Sequence, residues 1–427
     1  MNKINEKLNF PTAIVIFNYG PFGGAPKRNT NLFLHLCNLY PEKIYFIINN
    51  YLFQQIKIIY KDLPVKNICI IDSNKTSGVT EPFPTNQNPF SSQDILPEPL
   101  DVDRNTFLTR KIYWYYKNLI KQYSLYRKIE KFRKEHGIKV FVGVFNGILP
   151  LIFYMNKNKR KVAIIFSDMD SWFSEVHEDM KKLWYRKFYS FNYALENSDA
   201  VDFLSPFILD GVKKRGVKIK DDCFEIAPCS FADYSTCSVG EKKNFEVAFC
   251  ARLERNKNPM LYLEVAKEIL KKNPEIKFHL LGEGSLAGKI KKFIDENDLF
   301  PNINFQFHKN PPEILRNTSV FVSIQSNTNY PSQSVLEAMA CGNAIIASDV
   351  GDTEMLITKN NGILIPINKS ELINALYKLI NDRELTRSMG ISGRDFVIKN
   401  HTVEKYCDYF VNIINKTYEK TQHNKDS

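Results

Sequence analysis

The chain has 427 residues, 44% hydrophobic and 25% charged, enough to bury more than one core and too apolar for a disordered protein. Its net charge of +11 points to anionic partners. Eight scattered cysteines with no Cys-x-x-Cys pair, and seven dispersed histidines, argue against a disulfide framework or a zinc site.

Met1 to Phe10 mix charges with Asn and hold no apolar run, so no secretory signal is expected. Ala13 to Phe17 reads as a strand. It leads through Asn18-Tyr19-Gly20-Pro21-Phe22-Gly23-Gly24 into a helical pattern from about Asn29 to Leu39. Lys43 to Ile48 and Asn67 to Ile71 are further strand candidates. From Asp72 to Asp103 the chain is rich in Pro, Ser, Asn and Thr and reads as a long exposed loop or insertion.

Between Arg104 and His136 ten Lys or Arg face only two Glu, with apolar residues at helical spacing (Leu108, Ile112, Tyr116, Leu119, Tyr123, Tyr126, Ile129, Phe132). Two readings stay open for this segment: a surface helix with a solvated basic face, or a basic amphipathic helix lying on an anionic membrane. No recognised nucleic-acid module accompanies it, so nucleic acid is not an expected partner. Val140 to Met155 is too short and too interrupted by Gly143, Asn146, Gly147 and Pro150 to span a bilayer; it reads as strand, turn and helix start. Val162 to Phe166 and Ala200 to Leu204 complete the strand candidates of the first half.

The second half repeats the alternation. Strands are predicted at Glu246 to Cys250, Lys277 to Leu281, Ile303 to Phe307, Val320 to Ile324, Ala344 to Ser348 and Gly362 to Ile365. Helices are predicted at Pro259 to Lys272, Leu286 to Asp298, Ser332 to Ala340, Lys369 to Ile380 and Glu384 to Asn400, and a frayed polar tail from Thr421. The pattern is α/β: two tandem Rossmann-like, doubly wound domains, which collect ligands at the carboxyl ends of their strands. The polar stretch from Tyr234 to Asn244 suits the boundary. The expected division is 1–238, 239–405 and a C-terminal helix and tail over 406–427.

The most specific segment runs from Asn329 to Glu354. Pro331 suits a helix start and Ser332 a helix cap, leaving the amides of Ser332, Gln333 and Ser334 for a ligand. Such a terminus attracts phosphate. Glu337, one turn further in, is placed to accept from a ribose diol, and Gly342 ends the helix. This segment resembles the donor-binding signature of the family-4 retaining glycosyltransferases of the GT-B fold, whose helix reads Glu-Ala-Met-Ala-x-Gly as Glu337 to Gly342 do. Arg252 and, five residues on, Lys257 are similar to the family's cations beyond a strand. The turn Gly282-Glu283-Gly284 and the first loop, with Gly23 and Gly24, also resemble the family's.

The resemblance is dense after Phe245 and sparse before it. It implies a nucleotide-sugar donor bound by the C-terminal domain, a glycan or lipid-linked acceptor on the N-terminal side, and an interdomain cleft. It also implies retention at the anomeric carbon and no metal or other cofactor. Arg252, Lys257, Asn329 and Asp168 are the candidate catalytic residues. Gly23, Gly24, Gly282, Glu283, Ser332, Gln333, Ser334 and Glu337 are the candidate donor ligands. Two departures stand out: Asn329 replaces the family's first Glu, and no His follows Phe166, where Ser167-Asp168-Met169-Asp170 stand instead. That Asp-x-Asp also matches the metal-binding pair of the GT-A fold, a competing reading. A GT-B epimerase, a catalytically inactive glycan-binding subunit and, on weak glycine spacing, a nicotinamide oxidoreductase are the other rivals. The expected setting is cytoplasmic, peripheral on the inner face of the plasma membrane, in surface-polysaccharide synthesis.

Overall fold

The computed structural model describes residues 6–17, 23–71, 120, 122–155, 162–169, 191–214, 216–219, 221–326 and 328–426. They fall into two compact units, Met1–Ala227 with Cys407–Ser427, and Pro228–Tyr406.

Unit 1 holds a seven-stranded sheet built from β1 (Thr12–Ile16), β2 (Ile44–Asn49), β3 (Ile68–Ile71), β4 (Val140–Val144), β5 (Ala163–Met169), β6 (Ala200–Phe203) and β7 (Phe224–Ile226). The order is β3-β2-β1-β4-β5-β6-β7, and every pairing is parallel. Unbroken aliphatic runs such as Ala13 to Ile16 and Phe46 to Ile48 are fully buried, as strands covered on both faces require. Helix Gly24–Leu39 lies against the sheet, with Phe33 stacked on Phe46 at 4.7 Å between ring centroids.

The helix over residues 122–136 covers the other face. Leu125 and Ile129 are buried, Tyr126 and Phe132 pack against the same cluster, and the basic residues face outward. The apolar stripe that a membrane reading would use is therefore core in this part of the segment. The part before residue 120, and the 72–103 insertion, lie outside the described residues.

The tail expected to fray from Thr421 is instead the last turns of a helix, Val403–Asp426. From Cys407 onward it belongs to unit 1 and is pinned there. The Tyr409 hydroxyl donates to the buried Asp202 carboxylate at 2.6 Å, where Ser167 Oγ also donates at 2.6 Å. Further along, Lys416 pairs with Glu225, and Lys420 with Asp222 at 2.8 Å. These partners are about 200 residues away in sequence, which is why composition alone reads the segment as loose.

Unit 2 holds a six-stranded parallel sheet: β8 (Glu246–Cys250), β9 (Lys277–Leu281), β10 (Ile303–Gln306), β11 (Val320–Ser323), β12 (Ala344–Ser348) and β13 (Gly362–Ile365), in the order β10-β9-β8-β11-β12-β13. The fold is thus two doubly wound Rossmann-like sheets, as the alternation predicts. The chain builds outward from β8 through β9 to β10, then returns to add β11 on the other flank of β8. That reversal is a topological switch point, where the crevice beyond the carboxyl ends opens. The stretch 234–244, predicted to be the boundary, packs within unit 2: Gly240 N donates to Arg316 O at 2.8 Å, and Lys242 Nζ to Gly342 O. Helices Asn50–Ile59 and Pro206–Lys214 and the short strand β7 were not predicted from the sequence.

Candidate functional site

The four loops leaving the carboxyl ends of β8, β9, β11 and β12 are laced into one layer. Beyond β8, Leu253 N donates to Glu283 O at 2.9 Å, and Leu286 N returns the contact to Leu253 O at 3.0 Å. Gly282 and Gly284 make this approach possible. Their φ values are 151° and 157°, and a Cβ on Gly282 would stand 2.0 Å from the Ala251 carbonyl oxygen. The exposed Glu283 side chain is carried at the tip of this turn.

Across the switch point, Ser326 N donates to Asn256 O at 2.8 Å, and Asn258 Nδ2 to Ile324 O at 2.7 Å. Lys257 Nζ donates to Gln325 Oε1, and Gln325 Nε2 to Thr328 O at 2.7 Å. Arg252 stands exposed just past β8 and makes no ion pair or hydrogen bond with its side chain among the described residues. The switch point thus presents the Arg252 guanidinium and the Lys257 ammonium, with the Gln325 amide oxygen among the contacts of the latter. An anion entering there meets two cations.

Helix Gln333–Ala340 starts beyond β11. Ser332 is its N-cap, its Oγ accepting from Val335 N at a long 3.4 Å, while Pro331 lies one position ahead of the cap. The Ser332 amide is not open to a ligand as the sequence predicts: it closes a turn onto Asn329 O at 2.8 Å. The amides of Gln333 and Ser334 have no acceptor among the described residues. Gln333 is 8% exposed and donates Nε2 to Phe231 O at 2.6 Å, leaving its Oε1 buried with no partner. At the other end of the helix Gly342 has φ 72°, and Lys242 and Arg394 donate to the Gly342 and Ala340 carbonyls. Cations at the C-terminus and open amides at the N-terminus both follow the helix dipole.

Glu337 is buried at 3% exposure and shares a helix face with Gln333, four residues earlier. Burial, with the Cys237 thiol and Glu337 nearby, holds the Tyr234 hydroxyl well above its usual range. Asn329 takes the position expected to face the sugar, but its amide is spent inside the layer. It accepts from Ser323 Oγ at 2.6 Å and donates to Ser323 O at 3.1 Å and Ser348 Oγ at 3.0 Å. Both donor hydrogens are used, and the side chain is 1% exposed. It ties β11 to β12.

Unit 2 therefore gathers Arg252, Lys257, Gly282, Glu283, Asn329, Ser332, Gln333, Ser334 and Glu337 on one edge. Gly23, Gly24 and Asp168 belong to unit 1. Gly23 precedes helix Gly24–Leu39 after β1, which flanks that sheet's own switch point against β4, and its carbonyl accepts from Lys27 N at 3.1 Å. Asp168 lies within β5, which runs on to Met169 rather than ending at Phe166; its side chain, and Asp170, fall outside the described residues. Gln325, Thr328, Ser348 and Thr353 are layer-forming residues the sequence reading missed. Only the polar run after β11 hints at them, and nothing local announces that Gln325 meets a lysine 68 residues earlier.

Residues 238–396 match the family model "Glycosyl transferases group 1". The chain is 24% identical over 294 residues to the poly(ribitol-phosphate) alpha-N-acetylglucosaminyltransferase of Staphylococcus aureus, covering 67% of this chain and 57% of that protein. It is 26% identical over 235 residues to the UDP-Gal:alpha-D-GlcNAc-diphosphoundecaprenol alpha-1,3-galactosyltransferase of Escherichia coli, covering 52% and 60%. The chain thus spans less than two thirds of the length of these curated relatives. Its fold is that of Anabaena HepE, solved with UDP and glucose (TM-score 0.69, 13% identity, 95% of this chain and 100% of that one). It is also that of the sucrose-phosphate synthase of Thermosynechococcus elongatus (TM-score 0.70, 16% identity, 96% and 100%).

Proposed function

We propose, from the match of residues 238–396 to the group 1 glycosyltransferase model and the GT-B fold of the chain, that the protein transfers a sugar from a nucleoside-diphosphate sugar to a glycan or lipid-linked acceptor. The observation that carries this is the pairing of Arg252 and Lys257 with the open amides of Gln333 and Ser334 on the carboxyl edge of one sheet. A pyrophosphate needs such an arrangement: two cations, and donors that require no reorganisation when charge develops.

In the step proposed, the bond from the anomeric carbon to the diphosphate oxygen breaks and an acceptor hydroxyl oxygen bonds to that carbon. The hydroxyl proton passes to the departing phosphate, and the electron pair leaves with the diphosphate, held by Arg252 and Lys257. Attack on the face the leaving group vacates keeps the anomeric configuration. No metal is required in this scheme, since side-chain cations carry the neutralisation. Glu337 accepts from the ribose. Asn329 supports the layer rather than the reacting sugar, as its saturated amide favours. Gly23 and Gly24 belong to the same proposal as backbone contacts to the donor, and Asp168 as an acceptor-side group.

Surface-polysaccharide synthesis, of the family-4 type, is the setting we favour. The S. aureus and E. coli relatives are named for a ribitol-phosphate polymer and an undecaprenol-linked saccharide. A peripheral position on an anionic cytoplasmic membrane face goes with such an acceptor. Incubation with a panel of nucleoside-diphosphate sugars, with and without EDTA, tests the proposal through diphosphate release and the anomeric signal of the product. One donor should turn over in EDTA with its configuration retained. Turnover restored only by manganese or magnesium would return the Asp168–Asp170 metal reading to first place.

A further inference from the structure

We propose that Cys237 and Cys341 form an oxidisable dithiol in unit 2, which a small hydroperoxide converts to a disulfide. The pair lies at the opposite end of helix Gln333–Ala340 from the open amides.

Cys341 caps the C-terminus of that helix, and Gly342 follows at a φ of 72°. The segment from Cys237 to Lys242 runs beside this end. A Cβ on Gly342 would stand 3.1 Å from Val239 Cγ2, and Lys242 Nζ donates to the Gly342 carbonyl. Cys237 is fixed by its own turn, its amide donating to Tyr234 O at 2.9 Å and its sulfur lying 3.8 Å from Asp233 O. The close approach brings the two sulfurs into contact: the Cys237 S–H donates to Cys341 Sγ, and Ser238 N donates to the same sulfur. Both cysteines belong to one apolar cluster, with Cys341 0% and Cys237 8% exposed.

These contacts set the chemistry of the pair. A buried thiol without such support stays protonated, and burial pushes Cys69 and Cys229 up to about 11. Cys341 moves the other way. The hydrogen bond from Cys237, the Lys242 charge and the Ser238 amide hold it below its usual range, against burial and the Glu337 carboxylate. Burial brings Lys242 down to about 8, which leaves it mostly charged at neutral pH. A helix C-terminus disfavours an anion, but here the Gly342 and Ala340 carbonyls are taken up by Lys242 and Arg394.

Once deprotonated, the pair holds one proton between two sulfurs, and the charge passes to the more exposed Cys237 when that proton shifts along the S–H···S bond. The Cys237 thiolate attacks one peroxide oxygen, the O–O bond breaks, and hydroxide leaves a sulfenic acid behind. The Cys341 sulfur then attacks the sulfenic sulfur. The S–S bond forms, and the hydroxyl departs as water with the Cys341 proton. Two electrons pass from the sulfurs to the peroxide, so that two thiols and one hydrogen peroxide give a disulfide and two waters.

Peptide mapping of the full chain after stoichiometric hydrogen peroxide, with the remaining thiols alkylated under denaturing conditions, tests the proposal. The expected product is a Cys237–Cys341 cross-linked peptide that dithiothreitol removes, with Cys69 and Cys229 recovered alkylated. A Cys237→Ser variant, its fold checked by thermal melting, should give no such peptide. Lys242→Met, or Lys242→Gln should the first not fold, should slow cross-linking about fivefold or more by lowering the thiolate fraction. Recovery of both Cys237 and Cys341 as alkylated thiols at peroxide doses that oxidise Cys69 would overturn the proposal. An unchanged rate in the folded Lys242 variant would overturn the part given to the lysine.

Discussion

At the scale of single residues, the structure gathers the candidate side chains of unit 2 on one edge of its sheet and uses two of the candidate groups within the fold. Arg252, Lys257 and Glu337 stand where the spacing puts them. Asn329 and the Ser332 amide are consumed by the fold, because a loop laced to three others leaves few polar groups free. Those contacts join residues from separate strands, so no local pattern announces them.

His401 is a second residue that sequence could not place. Its Nδ1 accepts from Ser230 N at 3.3 Å, its carbonyl accepts from the Tyr234 hydroxyl at 2.9 Å, and burial pushes its pKa down to about 4. The ring is neutral when folded and takes a proton near pH 6.5 when unfolded. Stability therefore falls as pH drops below about 6.5 and stops falling once the folded ring also protonates near 4. At pH 5 the loss is roughly 2 kcal/mol relative to pH 7.5. Urea midpoints of wild type and His401→Gln should converge between pH 7.5 and 5; a constant gap would mean the ring is not held neutral.

At the scale of elements, the strands were legible because buried parallel strands are near-continuous aliphatic runs, and β8, β9 and β12 begin and end where the runs do. Helix ends shifted by a residue or two, as the predicted Leu286 to Asp298 became Ala287–Glu296. The turn after β9 depends on its glycines. Gly282→Ala forces a Cβ onto the Ala251 carbonyl at a φ of 151° and should cost roughly 2–4 kcal/mol of stability. It should also weaken nucleotide binding, since the same turn positions the loop after β8. Thermal melting and diphosphate titration measure the two effects separately, and a variant with wild-type stability would show that the turn is not constrained as described.

The helix over 122–136 settles the use of its apolar stripe in the core, but leaves Arg127, Lys128, Lys131 and Lys134 at the surface. Glu130 holds Arg133 through two contacts of 2.7 Å, so that arginine is already compensated. A membrane contact by this face is electrostatic, at about 1 kcal/mol per exposed basic residue, and is screened by salt. Replacing the four with Ser should reduce co-sedimentation with anionic vesicles at low salt and change nothing at high salt. Equal pelleting of both proteins at low salt would leave the helix as an ordinary solvated surface.

At the scale of the molecule, two doubly wound sheets follow from the alternation of strand and helix patterns along the chain, and the structure gives seven and six strands in the expected arrangement. Among the described residues no helix is long and apolar enough to cross a membrane. The switch point of unit 2 collects two cations, Arg252 and Lys257, and the open amides of Gln333 and Ser334. The most direct measurement is kcat/KM for the natural donor in Arg252→Ala and Lys257→Ala. Each should lose about 2–4 kcal/mol of transition-state stabilisation, a fall of roughly thirtyfold to a thousandfold, with folding retained. Near wild-type kcat/KM in both variants would contradict the assignment of this crevice as the place where the diphosphate departs.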